Sequence, residues 1–87
     1  MSATPDPVLD EIEGILRQHF PRDTVDVSLS GIRDNIHVIV VSRTLDDMTE
    51  RQKQEHLWGL LRDSGLGDEV LNRISMILPL SLEELNR

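Results

Sequence analysis

The sequence predicts one small α+β domain, ordered α-β-β-α-α-β-α, in which a three-stranded mixed sheet carries its helices on one face. Three observations carry that expectation. Residues 8–20 and 57–61 repeat apolar side chains at helical spacing, and residues 24–30 and 36–42 read as extended, as does the shorter run 74–78. At 87 residues the chain supports one hydrophobic core, in which nearly every strong apolar position takes part. A single domain over 1–87 follows, with an ordered core over about 6–85. No internal repeat, low-complexity tract or long linker interrupts it.

The first helix opens on Asp6 as N-cap, with Pro7 at the first helical position, where its missing N–H removes nothing from the ladder. Val8, Leu9, Ile12, Ile15, Leu16 and Phe20 make one apolar stripe, and Pro21 stops the helix. Gly14, on the polar side, lowers propensity by roughly 1 kcal/mol relative to Ala. In "TVDVSLS", Val25, Val27 and Leu29 take one face and Asp26, Ser28 and Ser30 the other, the pattern of a half-solvated strand. "GIRDN" is a turn. "IHVIVVS" is apolar on both faces along its second half, which suits a central strand.

Residues 49–63 read as the second helix, opened by a Thr49–Gln52 capping box and closed on the core by Leu57, Trp58, Leu60 and Leu61. Its "ERQKQEH" start reads as a solvated face, with i, i+3 and i, i+4 charge pairs. After "SGLGDE", Asp68 is expected to cap a short helix bearing Val70 and Leu71. "ISMIL" is the third strand, closed by Pro79, and "SLEEL" a last short helix with a Ser81–Glu84 capping box.

Composition narrows the chemistry. Hydrophobic residues make up 38% of the chain, with one Trp and one Phe as the only aromatics, so the core is built from Val, Ile and Leu. A net charge of −7 repels phosphate backbones, since non-specific nucleic-acid affinity comes mainly from Lys and Arg. There is no cysteine, which removes disulfides, thiolate nucleophiles and thiolate metal ligands from this chain. The N-terminal residues lack a basic region followed by an apolar run, and no stretch approaches the roughly 18 apolar residues that span a bilayer. A cytoplasmic location is the expectation.

His19, His37 and His56 fall on three elements without metal-ligand spacing, and no metal or cofactor is expected. Asp46–Asp47 and Glu83–Glu84 are adjacent carboxylates, which read as partners of helix N-termini rather than as an acid/base couple. No GxSxG, P-loop or GxGxxG motif occurs, so no enzyme is expected. In "SGLGD", Gly65 and Gly67 stand two apart beside an acid, and they read as a helix C-cap rather than a nucleic-acid-clamping GxxG loop.

The order of elements, with "HFP" at 19–21, "VIVVS" at 38–42 and "SLEEL" at 81–85, resembles the BolA family over roughly residues 8–85. The resemblance implies a fold similar to type II KH domains without the nucleic-acid loop. It also implies pairing with a monothiol glutaredoxin, a cluster shared through histidine ligands, and roles in iron–sulfur trafficking and stress response. Several positions depart from the pattern. The family's Arg–His–Arg corresponds to Lys53, Gln54 and Glu55, its C-terminal strand histidine falls on Arg73, and the first inter-strand loop, "GIRDN", holds neither His nor Cys. An always-protonated guanidinium cannot take the place of an imidazole as a ligand.

What the resemblance implies is therefore a non-enzymatic protein-interaction module that docks a partner, a monothiol glutaredoxin among them, without ligating a cluster. Arg33, Asn35, Arg51, Lys53 and Arg73 are its expected partner-binding residues. Two other readings stand beside it. The charge also fits a small acidic adaptor or subunit of a larger complex, and the fold class also fits a KH-like nucleic-acid binder, which would have to bind RNA at low salt.

Overall fold

The computed structural model describes residues 7–33 and 35–82. The Asp6 cap, Asp34, the Glu83–Glu84 pair and the last short helix with its Ser81–Glu84 box lie outside the described residues, except for Ser81, which is buried, and Leu82, which is half-buried.

Helix α1, Pro7–His19, buries Ile12 and Leu16 and half-buries Val8, Leu9 and Ile15. The stripe read from the sequence is the face that docks. The Phe20 N–H still reaches the Leu16 carbonyl at 2.8 Å, so its ring enters the core before Pro21 turns the chain away. Strand β1, Thr24–Leu29, then pairs antiparallel with β2, Ile36–Val41, from Thr24 opposite Val41 to Leu29 opposite Ile36.

Strand β3, Ile74–Leu80, lies parallel to β2 on its other side, giving the order β1-β2-β3 with β2 in the centre. Parallel neighbours need a long crossover. Here it is a 3-10 turn, Arg43–Leu45, then helix α2, Glu50–Asp63, and the short helix α3, Asp68–Arg73. Between the pairs Ile36–Ile74 and His37–Met76 the register slips, leaving Ser75 as an extra residue on β3.

One face of the sheet presents Val25, Val27, Ile36, Val38, Val40, Ile74 and Ile77, and these pack with Ile12, Leu16, Phe20, Leu45, Leu57, Leu61 and Leu66 in a single core. The other face, bearing Asp26, Ser28, His37, Ile39, Met76 and Leu78, contributes nothing to that core. Trp58 is half-buried against the core, on α2 as expected.

Ser42 ties the strand ends together. Fully buried, it donates its backbone N–H to the Leu80 carbonyl (3.0 Å) and its hydroxyl to Asp23 Oδ2 (2.8 Å), while Oγ accepts from the Thr44 N–H (3.0 Å). One side chain thus joins the approach to β1, the end of β2 and the cap of the 3-10 turn, and its backbone reaches the end of β3. The Thr49–Gln52 capping box forms in both directions, at 3.1 and 2.9 Å.

Two local expectations change. Gly67, not Asp68, occupies the N-cap of α3, so Asp68 begins the helix instead of capping it, and no side chain caps this end. Pro79 does not close β3, which runs on through Leu80. Proline is tolerated here because β3 is an edge strand. Leu80 aims its carbonyl at β2, so by alternation the Pro79 backbone nitrogen points away from β2, where no ladder N–H is needed, while its ring is buried.

Leu61→Ala is expected to cost about 2–5 kcal/mol through the cavity it leaves, and Ser42→Ala about 1–3 kcal/mol by removing a buried hydroxyl's bonds to the partly buried Asp23 carboxylate and to the Thr44 N–H. Exposed Glu11→Ala should stay within about 0.5 kcal/mol. Urea unfolding at neutral pH measures all three.

Candidate docking surfaces

The five residues singled out from the sequence do not form one patch. Asn35 precedes Ile36 and Arg73 precedes Ile74, and because Ile36 and Ile74 are register partners in a parallel pair, both residues stand at the same end of the sheet. Arg33 belongs to that end through the β1–β2 turn. Helix α2, by contrast, starts beyond the far end of β2, so Arg51 and Lys53 lie toward the opposite end, about 17 Å away along a six-residue strand.

The turn is tightly determined. The Ser30 N–H donates to the Asn35 carbonyl (2.9 Å), the Asn35 N–H to the Ile32 carbonyl (3.2 Å), and the Ile32 N–H to Ser30 Oγ (3.1 Å). Gly31 takes a left-handed φ of 89°, and so, at 55°, does Arg33, where a side chain fits less readily. The result is a tip on which Ile32 is 67% exposed beside an exposed Arg33. Asn35 and Arg73 are half-buried behind it.

On α2 the solvated face expected for "ERQKQEH" holds for Glu50, Arg51, Gln52 and Glu55 but not for Lys53. That residue is 3% exposed, with Nζ 3.0 Å from Glu50 Oε1. Three residues earlier on the helix, Glu50 reaches the ammonium from the exposed side, which lets the aliphatic stem lie against the core side of α2. Lys53 is thus a packing residue and not a contact offered to a partner. Arg51 is free to make such a contact, since its approach to Glu55 is 3.9 Å with both side chains mostly exposed. Gln54 is also engaged: its Nε2 donates to the Ile77 carbonyl at 2.8 Å.

A shallow, open hollow of about 570 Å³ lies at the start of α2, lined by Asp47, Met48, Gln52, Glu55 and His56. The two adjacent carboxylates separate here. Asp46 Oδ1 accepts the Leu82 N–H at 3.1 Å, while Asp47 faces the hollow. Asp46 therefore holds the chain after β3 against the crossover and is not poised as a proton donor to its neighbour. His56 sets its ring edge-on to Phe20, with centroids 6.3 Å apart and planes at 82°. Among the described residues no three His, Cys, Asp or Glu side chains converge as a metal-binding group, and no helix is long and apolar enough to cross a membrane.

The hollow was not singled out from the sequence, although a signal exists: Met48, Gln52 and His56 recur every four residues, on one side of the helix start. No family model matches the chain, and no curated protein matches it.

Lys53→Glu is expected to destabilise the domain by about 3–5 kcal/mol, because a carboxylate would be buried facing Glu50. Arg51→Glu should leave the urea midpoint nearly unchanged. Loss of binding in the Lys53 variant would therefore report unfolding, and loss in the Arg51 variant a contact.

Proposed function

We propose that this chain is a BolA-like protein-interaction module, without enzymatic activity, that docks a protein partner and does not itself ligate an iron–sulfur cluster. The observation that carries the reading is the order of elements: α1, the β1–β2 hairpin, the α2–α3 crossover, and β3 returning parallel to β2. The sheet end bearing the 31–35 turn and Arg73 supports a docking role there. It exposes two large apolar side chains, Ile32 and Leu29, beside Arg33, a combination of apolar anchors and guanidinium suited to protein contacts. Asn35 and Arg73 offer no imidazole or thiolate, so the role argued for is contact and not ligation.

A monothiol glutaredoxin is the first partner to test. Titrating isotope-labelled chain with the cluster-loaded glutaredoxin should shift the amides of 30–36 and 73–75 at micromolar concentration. Arg33→Glu and Arg73→Glu should each weaken binding by about fivefold or more, with Arg51→Glu, at the far end of the sheet, having a smaller effect. Absence of any shift at those concentrations would overturn the glutaredoxin assignment. The charge of −7 favours a second reading, an acidic adaptor within a larger complex, for which salt-sensitive co-purification with a basic partner is the expected result.

A further inference from the structure

The sheet has two faces and the helices cover one. On the other, the register aligns Ile39 with Leu78 and Val41 with Leu80, with Met76 next in line beside His37. Met76 and Leu78 are 36% and 39% exposed. Val41, at 8% exposed, is the buried end of the row, so Ile39, Met76, Leu78 and Leu80 make the stripe that a partner can reach, two strands wide and about 13 Å long, equal to about two and a half turns of an α-helix. The charged residue that shares this face is Asp26, opposite Ile39 on β1.

We propose that this stripe is a docking surface for a cationic amphipathic helix of a partner protein, a reading independent of the BolA resemblance. The helical form of the partner follows from the edge beside the stripe. An extended segment would have to add to β3, and β3 is blunted against that. Because Leu80 aims its carbonyl at β2, alternation points the backbone N and C=O of Ile77 and Pro79 away from β2, toward the sheet edge, while their side chains stay buried; the Ile77 carbonyl is taken by Gln54, and Pro79 has no N–H. A partner on this face must then satisfy its own backbone, as a helix does. On β1, farther from the stripe, the Val25 carbonyl is engaged by Arg17 Nη2 at 3.4 Å.

The partner's charge follows from the molecule's own. At −7, a second copy, an anionic lipid surface and a nucleic acid are all repelled. Asp26 on the rim adds a local carboxylate for a Lys or Arg flank to meet.

The test uses the full labelled chain and, as probe, a synthetic helix of about 18 residues, long enough to hold its form alone, with one Leu stripe flanked by Lys. Amide shifts should concentrate at 37–41 and 76–80. A version with Glu for Lys should bind at least about fivefold more weakly, and Asp26→Asn should cost about two- to fivefold with reduced salt dependence. Leu78→Glu should lose binding by more than about tenfold, with Met76→Glu substituting if the first variant does not fold. Shifts confined to 30–36 and 73–75, equal binding of the Lys and Glu helices, or self-association of the chain through 37–41 and 76–80 would each overturn the assignment. Arg33→Glu should leave probe binding intact, which separates this surface from the turn.

Discussion

The parallel pairing of β2 with β3 is the constraint from which the rest of the molecule follows. Two strands that run the same way cannot be joined by a turn, so the chain has to travel back over the sheet between them. It does so as α2 and α3, which puts α2 on the same side as α1 and concentrates the core there. The same requirement places the β1–β2 turn and Arg73 at one end and the start of α2 at the other. Which residues can act together is therefore decided by the crossover and not by their nearness in sequence.

That logic explains what was legible beforehand. Alternation in "TVDVSLS", two-sided apolarity in "IHVIVVS" and the Thr49–Gln52 box are written in neighbouring residues, and each element appears where those residues place it. Lys53 was not legible, because a lysine in a charged run reads as solvated, and only the packing of α2 with Glu50 at its side reveals the buried stem. Pro79 misled for a related reason. Proline stops a strand whose N–H is needed, and whether it is needed depends on which way the residue faces in a sheet not yet assembled. The five expected contact residues divided between two ends because their grouping rested on segments whose separation only the tertiary fold supplies.

The core is economical in residue types. With Phe20 as its one fully buried aromatic and Trp58 only half inside, it depends on branched aliphatic side chains whose rotamers are few and whose shapes interlock. The polar groups inside are correspondingly well placed. Ser42 makes three hydrogen bonds and Asp46 holds the Leu82 N–H, so the polar anchors gather where β2 ends and the crossover begins. The opposite end of the sheet, with its Ile32 tip, is held by the local turn bonds and by Ser75, whose hydroxyl donates to the Ile36 carbonyl at 3.4 Å.

The order in which the chain is synthesised gives the parallel strand one more meaning. The β1–β2 hairpin is local and can close as soon as Val41 has emerged, whereas β3 is the third strand of the sheet to be made and joins across a long intervening segment, a slow kind of contact to form. Until it does, the β2 flank that will receive it lies bare, with Val38 and Val40 beside it. A newborn chain stalled before Ile74 would present that sticky rim to its neighbours, which makes the arrival of β3 the step that covers it.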